Sequence, residues 1–250
     1  MLVSRTFRLG RSKMLGFLDQ LPKMEGEAAS LYVPQGTPPV KIKESLENVF
    51  APSALPSGIV DVIIDSETGA VLLWGLPGKY LVLPPFPVKE AYVSDGYHIE
   101  PLRSLLSRDL LIALVLVRLG AYSIGVCKGT HILDSKTGTG LVHGRHKKGG
   151  SSQARFARHR KKQIEYFMGR VCSHAQEHIG PRVQSLDYLV YGGARTTILT
   201  LQKECPFLKQ FEDRVLRIML AIPEPRRPVL DKALNDIWST TIIEWREDAD

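Results

Sequence analysis

The clearest hydrophobic periodicity in the chain predicts one long helix over residues 153–179. Apolar side chains recur there at i, i+3, i+4 and i+7, which is the spacing of a single helix face. The residues of this apolar stripe are Ile164, Phe167, Met168, Val171, Cys172, Ala175 and Ile179. Gly180 and Pro181 follow at once and predict the end of the helix.

Short apolar runs before and after this helix predict a mixed β-sheet with flanking helices. Residues 110–117 form a continuous apolar run flanked by charges, which is typical of a buried strand. Further strands are predicted at 122–128, 131–135, 186–191 and 218–222, and helices at 99–106, 196–203, 207–216 and 228–238. Strands that alternate with helices predict an α/β fold with a mixed sheet core.

The N-terminal region has a less regular pattern and predicts a separate α+β domain. Helices are predicted at 9–20 and 43–50, and strands at 29–33, 59–65, 69–74 and 90–93. Pro84, Pro85 and Pro87 predict a stiff, extended linker, because consecutive prolines block helices and lack amide donors. We therefore expect two domains, residues 1–85 and residues 86–250.

The charge of the chain is concentrated in one segment. The 250 residues include 33 Lys and Arg against 26 Asp and Glu, a net charge of +7. Nine of these cations lie between residues 135 and 164 without a single acidic residue, and the rest of the chain has a net charge of −2. Such a block is the electrostatic footprint of a nucleic-acid partner, although a solvated basic loop has the same composition.

Composition argues against membrane, secreted and disulfide-stabilised classes. The longest apolar run has eight residues, whereas a membrane-spanning helix needs about 20. The basic N-terminus lacks the apolar core of a secretory signal. Cys127, Cys172 and Cys205 are few, odd in number and far apart, which predicts reduced cysteines in a cytoplasmic protein. We expect a monomer without membrane association, metal or cofactor.

A glycine- and serine-rich tip lies inside the basic segment. Gly149, Gly150, Ser151 and Ser152 predict a flexible loop, and Gln153 stands where the loop becomes helix. We expect a mobile loop over residues 136–153. A glutamine amide is not ionisable, but it can orient a water molecule or donate to an oxyanion. A plain Gly/Ser loop with an incidental glutamine fits the same spacing.

The helix that follows the tip carries a basic face before its apolar stripe begins. Arg155, Arg158 and Lys162 recur at i, i+3 and i+7, and the apolar stripe starts one to two turns later. The predicted geometry is a mobile tip on a long basic stalk whose far end is anchored in a core.

Two separate segments resemble one known family. His143-Gly-Arg, the Gly149-Gly150 pair and the Arg155-Phe-Ala-Arg run are similar to the central domain of eukaryotic and archaeal class I peptide-release factors. Residues 91–106 resemble the first strand and helix of that domain, and the resemblance covers residues 88–194. In those factors glutamine follows the Gly-Gly pair directly. Here Ser151 and Ser152 intervene, and this Gly-x-x-Gln form resembles the release-factor-like branch of ribosome quality control. Residues 191–238 resemble bacterial members of the same branch.

The resemblance implies a fold like the central domain of release factors, with RNase H-like topology. It also implies that the protein is a codon-independent peptidyl-tRNA hydrolase. Gln153 would position water, with Gly149, Gly150, Ser151 and Ser152 forming a tip that enters the peptidyl-transferase centre of a stalled large ribosomal subunit. Contacts with rRNA and peptidyl-tRNA are expected from Arg145, His146, Lys147, Lys148, Arg155, Arg158, Arg160, Lys161 and Lys162. Release factors read stop codons with a sizeable N-terminal domain, whereas only about 85 residues precede the linker here, which argues against codon reading. Cleavage near the tRNA 3′ end and non-catalytic ribosome binding are the alternatives.

Two further features have simpler interpretations. His174, Glu177 and His178 fit the H-x-x-E-H pattern of inverted zinc peptidases. The pattern is short, it ends a helix, and no third ligand follows it, so we interpret it as a helix end without a metal. The tryptophans at 74, 238 and 245 are predicted to lie in the core.

Overall fold

The computed structural model describes residues 2–21, 27–50, 55–56, 58–75, 78–144 and 153–247. Its strands are β1 (Leu2–Leu9), β2 (Ala28–Val33), β3 (Ala70–Gly75), β4 (Lys79–Leu83), β5 (Tyr92–Asp95), β6 (Leu111–Arg118), β7 (Ala121–Lys128), β8 (His131–Thr139), β9 (Tyr188–Gly192), β10 (Val215–Leu220) and β11 (Thr240–Glu247). Its helices are α1 (Arg11–Leu18), α2 (Pro39–Val49), α3 (Ile59–Ile64), α4 (Glu100–Ser107), α5 (Gln153–Ile179), α6 (Arg195–Glu204) and α7 (Arg227–Ile237), with 3₁₀ segments at Gly180–Ser185 and Pro206–Arg214. Within these ranges no helix combines the length and the hydropathy needed to cross a membrane.

The chain folds into two units, and the division differs from the predicted domains. One unit comprises residues 1–108 and 236–250, and the other comprises residues 109–235. The proline-rich segment lies inside the first unit. There the Thr68 hydroxyl donates to the Pro84 carbonyl at 2.7 Å. Phe86 is fully buried, with its ring 4.7 Å from that of Trp238 in an edge-on contact. Residues 84–87 are therefore part of a core and not a linker between domains.

The first unit is a six-stranded antiparallel sheet with helices on both faces. Its strand order is β1-β11-β4-β3-β2-β5. Every residue of β3 is buried, and its side chains alternate between two hydrophobic clusters. Val71 and Leu73 pack with residues of α1 and α4, and Leu72 and Trp74 pack with residues of α2 and α3. The predicted core positions of Trp74, Trp238 and Trp245 are confirmed.

One predicted strand of this unit is wrong. Residues 59–65 were expected to form a strand, and the structure has helix α3 at Ile59–Ile64. β-Branched residues favour strands, but propensity is weak against tertiary context. Here Ile59 and Ile63 are both buried in the same cluster, whereas Asp61 between them is exposed. A strand would place Asp61 on the same face as the two isoleucines, and a helix places it on the opposite face.

The second unit confirms the predicted mixed sheet with flanking helices. Its strand order is β10-β9-β6-β7-β8: β6, β7 and β8 form an antiparallel meander, and β9 and β10 extend it in parallel. This is the RNase H-like order. Helices α5 and α6 cover one face of the sheet. On the other face α7 approaches β7 so closely that a Cβ at Gly125 would lie 3.0 Å from the Leu230 side chain.

The expected start of the mobile loop is also wrong. Strand β8 continues to Thr139, and Lys136 is paired with Ile124 of β7. The lysine at 136 occupies an exposed position on an edge strand, where a charged side chain needs no burial. Residues 136–139 therefore belong to the sheet.

Two of the cysteines form a disulfide, which corrects the expectation of reduced thiols. Cys172 of α5 and Cys205, just after α6, are bonded, with their Cα atoms 5.4 Å apart. They are 33 residues apart in sequence. Only the packing of α5 beside α6 brings them together, and the cysteine argument for a reducing compartment no longer applies.

Thiol counting tests this arrangement. Burial raises the pKa of the remaining thiol, Cys127, to about 12, so this sulfur is protonated and shielded at neutral pH. We expect a thiol reagent to find no reactive cysteine in the native protein, one after denaturation, and three after denaturation and reduction. Reaction of two or more thiols in denaturant without reductant would contradict the disulfide.

Candidate functional site

The structure describes the predicted basic helix but not most of the predicted tip. Arg145, His146, Lys147, Lys148, Gly149, Gly150, Ser151 and Ser152 lie outside the described residues. Gln153 is the first residue of α5, as the periodicity predicts, and the helix ends at Ile179. The described part of the site is therefore α5 and the chain that approaches it from β8.

The chain that leaves β8 is bound along α5. The Arg170 guanidinium donates to the Thr139 carbonyl at 3.2 Å. The amide of His143 donates to Oε1 of Gln163 at 3.2 Å, and Nε of Arg160 donates to the His143 carbonyl at 2.9 Å. These bonds hold the residues that enter segment 145–152 against the helix that leaves it.

Gly140 permits this close approach. A Cβ at that position would lie 2.7 Å from a ring carbon of Phe167, which is itself buried. Phe167 also packs edge-on against Tyr122 of β7, so its ring has little room to move. A side chain at residue 140 would therefore push the strand exit away from α5.

The first half of α5 extends well beyond the core. Residues 154–159 are all exposed, and the first buried residue of the helix is Phe167, fourteen positions after Gln153. With a rise of 1.5 Å per residue, the start of α5 lies about 21 Å along the helix axis from that anchored turn. The predicted stalk with an anchored far end is present in the structure.

Positive charge on this stalk is concentrated on one face, which we call the basic stripe and define as Arg155, Arg158 and Lys162. All three side chains are exposed, and neither Arg155 nor Lys162 has a hydrogen bond or ion pair within the described residues. At 100° per residue, Tyr166 falls on the same face. Its side chain is 72% exposed. The sequence analysis did not predict a role for this tyrosine, although its position four residues after Lys162 places it on the same helix face.

The other two basic residues of the stalk face a different environment. Arg160 and Lys161 line an open groove of about 530 Å³ between α5 and α6, together with Glu165 and Glu204. Lys161 lies 3.6 Å from Glu165, and Arg160 is bonded to the His143 carbonyl. Glu165 thus partly offsets the charge of Lys161, whereas no residue of the basic stripe forms an ion pair within the described residues.

The H-x-x-E-H residues lie at the other end of α5. The Nδ1 atom of His178 lies 3.0 Å from an Asp134 carboxylate oxygen on β8. Hydrogen bonding from His178 lowers the pKa of this carboxyl below its ordinary value. Asp134 therefore stands beside the motif as a charged partner that the sequence pattern does not reveal.

Comparisons with known proteins place this architecture among translation factors. The family described as the Actinobacteria/chloroflexi VLRF1 release factor (acVLRF1) matches residues 111–243, just over half of the chain. Peptide chain release factor subunit 1 of Archaeoglobus fulgidus is 27% identical over 169 residues, which are 63% of this chain and 42% of that protein. The corresponding protein of Methanopyrus kandleri is 36% identical over 120 residues, 47% of this chain and 29% of that protein.

A solved structure, that of the archaeal translation termination factor aRF1, aligns over 92% of this chain and 73% of that chain, with a TM-score of 0.39 and 15% identity. The chain spans less than half the length of the two curated relatives. The family match over residues 111–243 makes the chain a release-factor-like protein. It belongs to the Actinobacteria/chloroflexi VLRF1 release-factor family.

The close contact at Gly140 generates a stability prediction. Gly140→Ala should lower the free energy of unfolding by about 1–3 kcal/mol, because the added methyl group overlaps the buried Phe167 ring. Gly144→Ala is the matched control, since nothing among the described residues lies within 4 Å of a Cβ there. Denaturant unfolding of both variants measures the difference, and equal stabilities would contradict the proposed packing.

Proposed function

We propose that this protein is a codon-independent release factor that hydrolyses peptidyl-tRNA on stalled large ribosomal subunits. The observation that carries the proposal is the position of Gln153 at the exposed end of α5, about 21 Å from the first anchored turn. Membership of a release-factor family and the Gly-x-x-Gln resemblance support it. A catalytic group that must enter a deep RNA cavity needs such a long, narrow support.

Charge on the stalk supports the same partner. The basic stripe presents Arg155, Arg158 and Lys162 on one face, where they can contact phosphates of rRNA and tRNA. Tyr166 continues this face with an exposed ring, and exposed aromatic rings stack on unpaired bases. We also assign phosphate contacts to Arg145, His146, Lys147 and Lys148 in the preceding segment, and weaker ones to Arg160 and Lys161.

The proposed reaction is hydrolysis of the ester between peptide and tRNA. The oxygen of a water molecule bonds to the ester carbonyl carbon, and the bond from that carbon to the ribose 3′ oxygen breaks. The peptide leaves as a carboxylate, and the tRNA leaves with its 3′ hydroxyl group. The Gln153 amide can accept from the water or donate to the developing oxyanion, but it cannot take a proton at neutral pH. The proton acceptor is therefore a group of the RNA or bulk water.

The tip residues complete the proposal. Gly149 and Gly150 allow close backbone approach to the RNA, and Ser151 and Ser152 separate them from Gln153. This Gly-x-x-Gln order resembles that of the quality-control branch, and for this reason we propose rescue of stalled complexes without codon reading.

Substitution of the glutamine tests the catalytic role. Gln153→Ala should reduce peptide release by about 10²–10³-fold, the usual cost of removing one group that stabilises an oxyanion. Ribosome binding should be unchanged. Gln176→Ala, at an exposed position on the same helix, is the matched control. The measurement is peptide released from isolated large subunits that carry peptidyl-tRNA.

Analysis of the tRNA from the same reaction separates the alternatives. An intact CCA end with freed peptide supports ester hydrolysis. A shortened tRNA would instead identify a 3′-end nuclease. Release by Gln153→Ala at the wild-type rate would contradict the catalytic role of Gln153. Ribosome binding by the wild type without any release would leave a non-catalytic ribosome-binding protein.

The electrostatic role of the stripe has its own test. Replacing Arg155, Arg158 and Lys162 together by Gln should make large-subunit binding less sensitive to salt. The plot of log binding constant against log salt concentration should become less steep by about 2–3, since each lost phosphate contact removes about 0.7–0.9. A control with the same change in net charge replaces Lys128, Lys209 and Arg217, which are exposed elsewhere in the second unit. Equal slopes for the two triple variants would contradict a specific role of the stripe.

A further inference from the structure

A second group of reactive side chains lies far from the tip, near the C-terminal end of α5. His174, Glu177 and His178 are spaced i, i+3 and i+4, so the helix places them side by side. His174 lies 21 residues after Gln153, which corresponds to about 32 Å along the axis. This group therefore takes no part in the proposed reaction.

The donor atoms of the three residues converge. The Nδ1 atom of His174 is hydrogen-bonded to Oε2 of Glu177 at 3.2 Å, a contact that a bound ion would replace with loss of the Nδ1 proton. The Nε2 atom of His178 lies 3.9 Å from the same oxygen. One donor atom from each residue fits within a separation of 4.8 Å. In a tetrahedral zinc site with bonds of 2.0–2.1 Å, ligand atoms are about 3.3 Å apart. Small side-chain rotations would bring the three donors to that spacing.

Asp134 prepares His178 as a ligand. Because a carboxylate only accepts hydrogen bonds, the contact of 3.0 Å requires the proton of His178 to be on Nδ1. The lone pair of Nε2 is then available. A carboxylate that orients a histidine in this way is the usual outer partner of a zinc ligand. Arg182, 3.8 Å from the same Asp134 oxygen, helps to hold that carboxylate in place.

The Nε2 atom of His178 also lacks a partner. It is buried, and among the described residues it makes no hydrogen bond. A buried nitrogen without a partner costs free energy, and coordination would remove that cost. The His174 ring is stacked on Tyr122 with centroids 5.7 Å apart, so the second imidazole is held in place as well.

We propose that His174, Glu177 and His178 bind one zinc ion, with Asp134 as the residue that orients His178, in place of the metal-free interpretation of the sequence pattern. Two imidazole nitrogens favour zinc or a similar transition metal over calcium or magnesium, which prefer oxygen ligands. Glu177 is largely exposed and gives the ion access from solvent. Because Asp134 belongs to β8, its contact with His178 connects the site to the edge of the sheet.

Metal titration tests the site in the full-length, untagged protein after treatment with a chelator. Competition with a chromogenic zinc chelator should give one bound Zn²⁺ per chain. His174→Gln and His178→Gln should abolish this binding, and Asp134→Asn should weaken it by about 10–100-fold. His159→Gln, at an exposed position on the same helix, is the matched control and should bind like the wild type.

Cobalt provides a measurement that does not depend on the folding of any variant. Co²⁺ added to the wild-type protein should produce the visible absorption of a low-coordinate nitrogen and oxygen site without a thiolate charge-transfer band. Zinc binding by the wild type that is no tighter than by a His174→Gln/His178→Gln double variant would overturn the proposal. So would a cobalt spectrum identical to that of cobalt in buffer. Neither result bears on peptide release by Gln153.

Discussion

The packing of the second half of α5 against the mixed sheet supports every functional feature of this protein. Phe167, Met168, Val171, Ala175 and Ile179 are buried against β6, β7 and β9, and they fix the direction of the helix. The first half needs no burial of its own because the helix is continuous across both halves. A rigid, hydrated stalk of about 21 Å is therefore a consequence of core packing at its other end.

Two kinds of contact reinforce this anchor at different points along the helix. In the C-terminal third of α5, the disulfide from Cys172 to Cys205 connects the helix to the end of α6. On the side of the sheet edge, Arg160, Gln163 and Arg170 bind the chain that leaves β8. The tip segment is thus bounded by two chain ends that are held to one another. At the far end of the helix, the contact of His178 with Asp134 is a third connection, to β8.

Charge is divided along the same helix. Arg155, Arg158 and Lys162 face solvent and form no ion pair within the described residues, whereas Arg160 and Lys161 lie in a groove with Glu165 and Glu204. A polyanion would therefore be attracted to one face of the stalk. The body of the protein, which has a net charge of −2 outside the basic segment, contributes no such attraction.

Local sequence patterns determined α5, its basic stripe and most strands of the second unit, because each depends on the spacing of residues within a few turns or a single strand. Only the tertiary structure decided the disulfide, the pairing of Asp134 with His178, and the helical state of residues 59–64. Each of these depends on side chains that are distant in sequence and meet only after packing. The same reason explains why the sequence pattern predicted neither β1 nor β11. These two strands lie near opposite ends of the printed sequence and pair with each other in the sheet.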